Sequence, residues 1–157
     1  MSGKIKYDVD VKIGEGSYST IYRGVNTKTG ALVALKNMRI KKYDAGLSPD
    51  IIRELECNKL LKSLYVLELV DYYTKEGGIT LVYDYMPSDL AILLNALTKP
   101  LLEFQVKALM LMILKGIDYC HKKGIMHRVN VVLNFRILNL LISLLINMVR
   151  SSLETSV

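Results

Sequence analysis

Residues 7–36, YDVDVKIGEGSYSTIYRGVNTKTGALVALK, decide how the rest of this chain is read. Charged and apolar residues alternate through YDVDVKIGEG, and SYSTIYRGV is rich in β-branched and aromatic side chains. ALVALKNM then carries the pattern on to Met38, so three strands are expected. NTKTG, between Val25 and Ala31, supplies the Asn and Gly that a hairpin connection needs. Gly14-Glu15-Gly16 falls at the first turn. Residues 13–19 are a weak signal alone, because glycine turns serve many purposes and a plain hairpin explains them equally well. A dinucleotide-binding turn runs from a strand into a helix, whereas here STIYRG reads as a second strand, which fits a flap folded over phosphates. Glycines let the backbone approach phosphate oxygens closely, and free N–H groups in such a turn bind those anions.

Outward from the flap, Val33-Ala34-Leu35-Lys36 ends an apolar strand on a lysine. The segment SPDIIRELECNKLLKSL at 48–64 is expected to be helical. Ser48 can cap it, Pro49 suits the first helical position, Asp50 favours the positive end of the dipole, and Ile51 and Leu55 stack at i, i+4. An apolar strand gains nothing from one lysine, so Lys36 is expected to face a cleft, contact nucleotide phosphates and be held by an ion pair to Glu54. YVLELVDYY and ITLVYDYM read as two more strands separated by Glu76-Gly77-Gly78. From Ser88 onward helices dominate. In LEFQVKALMLMILKGIDYCHKKG, residues Phe104, Ala108, Leu111, Ile113 and Ile117 fall near helical spacing, Lys122 and Lys123 sit in the last turn, and Gly124 is the stop.

The chain has 157 residues, 51% apolar and 23% charged, which suits one domain of ordinary size with enough aliphatic content for a core. Its net charge of +6 is spread as KIK, KK and HKK, which argues for general solvation and against nucleic-acid binding. Cys57 and Cys120 form no CxxC pair, so a reducing compartment is expected; Cys120 beside His121 lacks the further ligands of a zinc site, and no metal is expected there. The start, MSGKIKYDVD, has no apolar core of a signal peptide. After Arg128 the character changes. Residues 129–149 hold 15 apolar positions out of 21, but four Asn, one Ser and Arg136 interrupt them. Their longest apolar run falls short of the roughly 20 residues that cross a bilayer, so a membrane span is not expected.

Taken in order, these motifs resemble a protein kinase of the cyclin-dependent family over residues 7–128. LVYDYMPSDLAILL and KALMLMILKGIDYCH resemble in particular the branch that activates cyclin-dependent kinases and associates with a transcription factor. The resemblance implies an α+β fold. A five-stranded antiparallel N-lobe with one helix would occupy residues 1–86, the first helices of an incomplete helical C-lobe 87–128, and a degenerate apolar tail 129–157. ATP is the implied cofactor. Ile13, Gly14, Glu15, Gly16 and Ile21 would form its flap, Lys36 the phosphate contact and Glu54 the helix partner of Lys36. Ala34 would line the adenine pocket, Tyr83 would be the gatekeeper, Asp84 and Met86 would offer hinge backbone, and Asp89 would sit near the ribose. Ser17 and Tyr18 match flap positions where the family is regulated by phosphorylation. Helix 49–63 takes the place of the cyclin-facing helix, which implies a cyclin-like partner, although its sequence is not a standard family signature.

The resemblance breaks after His127-Arg128. Kinase chemistry needs the aspartate of H-R-D to receive the substrate proton and the aspartate of D-F-G to hold magnesium. In the direct register Val129 follows Arg128, Val131 replaces the loop lysine and Asn134 keeps the asparagine place. In a second register, residues 134–143 resemble D-x-K-P-x-N-L-L-I-S, with Asn134 for the aspartate, Asn139 for the asparagine and five residues inserted. Both lack the carboxylate. Ser152, Leu153 and Glu154 fall where D-F-G belongs, which leaves magnesium an incomplete site. The chain then stops at Val157, short of the activation loop and most of the helical lobe, so a truncated protein is expected, inactive or nearly so and unable to hold a protein substrate. Three readings stay open: a degenerate kinase that keeps an ATP-binding lobe, a non-enzymatic module for ATP or a cyclin, and the product of a damaged reading frame. An intracellular location, nuclear or cytoplasmic, goes with the first two.

Overall fold

The computed structural model describes residues 6–16, 19–39, 48–75, 78–88 and 90–125. They form strands β1 (Tyr7–Glu15), β2 (Ser19–Asn26) and β3 (Leu32–Arg39), helix α1 (Pro49–Leu60), strands β4 (Leu69–Lys75) and β5 (Gly78–Asp84), and helices α2 (Leu90–Ala96) and α3 (Glu103–Lys122). The strands make one sheet in the order β1-β2-β3-β5-β4, with every neighbouring pair antiparallel. This is the five-stranded α+β architecture expected. The chain divides into two compact units: residues 1–62 with 68–85, and residues 63–67 with 86–157.

In the first unit, β1 to β3 form a meander because tight turns connect them. Asn26 accepts hydrogen bonds at Oδ1 from the amides of Lys28 and Thr29, at 3.0 and 3.3 Å, and Gly30 takes a φ of +72° that a side chain would resist. β5 then pairs with β3 and not with an edge, placing Lys36 opposite Leu81 and Ala34 opposite Tyr83. Two glycines are fixed by close approach. A Cβ on Gly24 would lie 2.6 Å from the Asp8 carbonyl oxygen, and one on Gly78 would lie 2.3 Å from that of Met38. Gly78 therefore opens β5, beyond its expected place in the turn.

The sheet has two apolar faces. On one, Tyr7, Val33, Leu35 and Val82 are buried together, with Tyr22 and Tyr73 packed against them. On the other, the pairing register aligns Ile21, Lys36, Leu81 and Tyr72 in one row, and Arg23, Ala34, Tyr83 and Leu69 in the next. Lys36 joins α1 on this second face, and α1 buries Ile51 and Leu55.

Three local expectations need correction. Ser48 occupies the N-cap of α1 without a side-chain hydrogen bond; its carbonyl accepts from Ile52 N at 3.1 Å, and Pro49 follows as expected. α1 stops at Leu60, short of 63, because Leu61 turns extended and donates its N–H to the Asn58 carbonyl. The fourth strand begins at Leu69, not Tyr65: Ser63 Oγ accepts from Tyr65 N at 3.2 Å, and Ser63 and Val66 pair across a tight turn.

In the second unit, α3 runs over the expected residues and ends as expected. Gly124 takes φ +72°, with Gly124 N donating to His121 O and Ile125 N to Cys120 O, both at 2.9 Å, a glycine-closed helix end. Its first turn is held by Gln105, whose Oε1 accepts from Leu102 N at 2.8 Å. Spacing alone does not say which side of the helix is buried. Leu109, Gly116 and Cys120 are buried, with Tyr65, Leu90, Met112 and Ile113 packed around Leu109, while Phe104 and Leu111 are 51% and 54% exposed. Positions 104 and 111 lie two turns apart on one side of the helix, and 109, 113, 116 and 120 form the other stripe. Cys57 and Cys120 are free thiols, and burial raises the pKa of Cys120. Among the described residues no helix is long and apolar enough to cross a membrane; residues 129–149 lie outside them.

Candidate active site

Lys36 sits in the middle of β3, with β2 on one side and β5 on the other, so its backbone is fully laddered and its side chain can leave only through a face of the sheet. It leaves on the α1 face, where Nζ lies 2.6 Å from Glu54 Oε1, both side chains being largely withdrawn from water at 15% and 17% exposure. Glu54 is placed by the periodicity of α1, inward with Ile51 and Leu55. One turn on, Asn58 donates from Nδ2 to the Glu54 carbonyl at 2.8 Å and stiffens the helix at that point. Charges at this depth are poorly solvated, so each depends on the other.

Around the pair, the register gathers the expected apolar residues. Ile21 lies opposite Lys36 on β2, and Ala34 lies between Arg23 and Tyr83. Tyr83 is 6% exposed; burial pushes its phenol far above the ordinary value of 10.0, and the Glu54 carboxylate pushes it further. The ring therefore stays neutral beside the ion pair.

The glycine turn joins the same face. Gly14 lies opposite Ile21 and Glu15 opposite Thr20, and Gly16 N donates to the Ser19 carbonyl at 2.8 Å. A Cβ on Gly14 would meet only Ile21, at 3.6 Å, and one on Gly16 only Ser19, at 3.4 Å from its hydroxyl. The packing among the described residues does not demand glycine at either position, so no side chain covers the backbone there. Ile13 is exposed on the strand leading in, and Lys12 holds Glu15 at 2.5 Å, which keeps the Glu15 carboxyl below its usual pKa.

The structure thus brings Ile13, Gly14, Glu15, Gly16, Ile21, Ala34, Lys36, Glu54 and Tyr83 into one unit, with Asp84 closing β5 opposite Val33. Met86 belongs to the second unit. Ser17, Tyr18, Asp89, the His127-Arg128 pair, Asn134, Asn139 and residues 152–154 lie outside the described residues. Among the described residues no group of three or more His, Cys, Asp or Glu side chains could hold a metal ion.

Several contributors were not singled out from the sequence. Leu81 is fully buried directly opposite Lys36, and Asn58 ties Glu54. Arg39 donates to the buried Thr20 hydroxyl at 3.4 Å, and Arg23 pairs with Asp10 while its guanidinium lies 6.0 Å from the Tyr85 ring centroid. Counting back two from Tyr83 points to Leu81, and counting four on from Glu54 points to Asn58. The Arg contacts had no sequence signal.

Comparison with known proteins agrees with this geometry. The protein kinase domain model matches residues 7–132. The chain is 36% identical over 116 residues to cyclin-dependent kinase D-1 of Oryza sativa subsp. japonica, covering 74% of this chain and 27% of that one. It is 34% identical over 124 residues to cyclin-dependent kinase 20 of Danio rerio, covering 78% and 36%, respectively. It is 30% identical over 128 residues to the serine/threonine-protein kinase KIN28 of Saccharomyces cerevisiae, covering 82% and 42%. The matches thus span between 27% and 42% of the length of these relatives. A sheet of this order, a lysine and a glutamate paired across it, and a glycine turn beside them coincide with that match, and the chain belongs to the protein kinase family, among relatives that are cyclin-dependent kinases.

Proposed function

We propose that the chain is the ATP-binding lobe of a cyclin-dependent type of Ser/Thr kinase, which as its sequence stands binds nucleotide but transfers phosphate poorly or not at all. The observation that carries this reading is the Lys36–Glu54 pair, 2.6 Å apart and mostly buried, on the sheet face that the glycine turn joins. The donor set suits the ligand: a fixed ammonium for phosphate oxygens, bare glycine backbone beside it, and the apolar side chains of Ile13, Ile21 and Ala34 for a purine. When bound, ATP supplies the transferable phosphoryl group. Glu54 holds Lys36 extended toward the phosphates and Tyr83 limits the depth of the pocket. Asp84 offers backbone to the adenine edge.

The magnesium site is incomplete in this reading, because Ser152-Leu153-Glu154 stands for the metal-binding motif. Asn134 or Asn139 stands where a base belongs; a neutral amide cannot accept the substrate proton, and losing a positioned base removes about 10²- to 10⁴-fold in rate. Protein substrate, nucleic acid and membrane are not assigned as partners, and the site of action is intracellular, nuclear or cytoplasmic.

Thermal unfolding of the whole chain with magnesium and ATP tests this. Saturating nucleotide should raise the midpoint by mass action, and Lys36→Met should abolish the rise; an unmodified chain that shows no rise ends the reading. A second reading, docking of a cyclin-like protein on α1, is favoured by the outward side of that helix, where Ile52 is 47% exposed and Leu60 also faces solvent. Ile51 and Glu54 point inward, so Ile52→Asp is the surface test. Capture of a cyclin at micromolar concentration, lost in that variant, supports docking, and no capture by the unmodified chain refutes it.

A further inference from the structure

Side chains from three strands of the sheet meet in one crossing contact beside Ala34. Asp10 on β1 and Arg23 on β2 form its first half: Arg23 Nε donates to Asp10 Oδ2 at 2.7 Å, and Nη2 donates to the same oxygen. In the other direction the guanidinium reaches across β3 and lies 6.0 Å from the centroid of the Tyr85 ring, which directly follows β5. Ala34 is what lets it pass. Ala34 stands on β3 between Arg23 and Tyr83, and its single methyl group leaves room above the strand for two long side chains to meet. Tyr85, two residues beyond Tyr83, returns to the same face. The Asp10 carboxylate, with a smaller contribution from the Tyr85 hydroxyl, holds the Arg23 guanidinium above its ordinary pKa.

Stability does not account for this contact. The Arg23 and Asp10 side chains remain 37% and 48% exposed, and ion pairs that stay wet contribute little to folding. Phosphate binding does not account for it either. Lys36 lies with Ile21 in the neighbouring row, two residues or about 7 Å along the strands, and the glycine turn joins the sheet at Ile21. Arg23 belongs instead to the row of Ala34, and its charge is already met by Asp10. A guanidinium suits such a place, because its planar fork can satisfy a carboxylate while it also lies against an aromatic ring.

We propose that Asp10, Arg23 and Tyr85 form a bracket that fixes the end of β5, and that Arg23 is thereby a positioning residue for the purine of a bound nucleotide, acting on the base and not on the phosphates. The bracket stands on the contacts alone. Its use rests on the function proposed above, in which the backbone at Asp84 meets the adenine edge.

Titration of the full chain with ATP, adenosine and tripolyphosphate, read by thermal unfolding, separates base from phosphate. Arg23→Met keeps the apolar stem and removes both contacts; it should weaken ATP and adenosine by about tenfold each and leave tripolyphosphate within about twofold. Asp10→Asn should give the same pattern more weakly. Tyr85→Leu should match Arg23→Met, whereas Tyr85→Phe, which keeps the ring, should stay near the unmodified chain. Weakening of tripolyphosphate by the same factor as ATP would make Arg23 a phosphate ligand and overturns the proposal, as does no change for any probe. Hydrogen exchange without ligand tests the bracket independently of nucleotide. Arg23→Met and Tyr85→Leu should speed exchange of the amides at 83–85 by about threefold or more and leave 79–81 at the unmodified rate; unchanged rates at 83–85, or equal acceleration of both groups, overturn the bracket. If the unmodified chain binds neither ATP nor adenosine, the nucleotide reading fails and takes the role of Arg23 with it, while the exchange pattern alone decides the bracket.

Discussion

The sheet unit and the α3 unit handle comparable apolar content in opposite ways. β5 is buried along nearly its whole length, with Leu81 and Val82 fully inaccessible, because β3 and β4 flank it and both sheet faces carry cover. α3 also carries many aliphatic side chains, yet Phe104, Met110, Leu111 and Leu114 are about half exposed, and its buried stripe comes down to Leu109, Gly116 and Cys120. The difference teaches that β5, flanked on both edges and covered on both faces, has its packing specified within the sheet unit, although that unit also leaves Val9, Leu32 and Ile52 about half exposed. Helix α3 is held by its hydrogen bonds and end signals, and among the described residues much of its apolar surface is left uncovered.

The largest effect should come from breaking the charge pair inside the well-covered unit. Glu54→Ala leaves the Lys36 ammonium buried without its counter-charge and should cost about 3–5 kcal/mol in urea unfolding, whereas Lys36→Met with Glu54→Leu should recover much of it. Leu81→Ala should cost about 2–5 kcal/mol by leaving a cavity, and the matching truncation Leu111→Ala on α3 should cost well under about 1 kcal/mol. Equal costs for the two leucines would erase the contrast.

A smaller effect is expected at Asp71. Burial raises its pKa, but hydrogen bonds from Lys6 and Tyr7 and from the Tyr72 backbone outweigh this and hold it below the ordinary value of 3.8. A depressed carboxyl stabilises the fold above its unfolded value and stops doing so as pH falls through the folded one. The unmodified chain should therefore lose stability below about pH 4 through this group, and Asp71→Asn, less stable at neutral pH by about 1–3 kcal/mol, should lack that component. Urea titrations at pH 3 and pH 7 check it. The smallest effect is expected from Leu111→Lys, which should leave the unfolding free energy within about 0.5 kcal/mol while reducing light scattering of concentrated samples.

Much of the sheet was legible because its signals are local. Alternation marked β1 to β3, Asn26 and Gly30 marked the hairpin, and a lone lysine on an apolar strand marked Lys36. Its partner Glu54 came from the functional reading of that lysine, on the helix that Ile51 and Leu55 marked. What stayed hidden depended on contacts between distant segments. Nothing near Asp71 announces that Tyr7 will reach it, and nothing near Gly78 announces that the Met38 carbonyl will come within 2.3 Å of a Cβ. The buried stripe of α3 could not be picked from spacing, because apolar residues occur on more than one side of that helix. Spacing alone selects several stripes, and the tertiary partners Tyr65 and Leu90 decide among them. Ser48 looked like a cap on residue type alone, yet its hydroxyl makes no bond to α1.

The insertion of β5 between β3 and β4 has a kinetic consequence. The β1–β3 meander is made of near neighbours in sequence, but β3 gains its second partner only after α1 and β4 have been traversed, since Val33 pairs with Asp84. Until the β4–β5 hairpin docks, β3 presents an open edge lined by Val33, Leu35 and Met38, and that docking closes a long loop at high entropic cost. Folding of this unit should therefore show a slow step set by hairpin insertion, and during that interval a newly made chain exposes a template on which a second chain can add a strand.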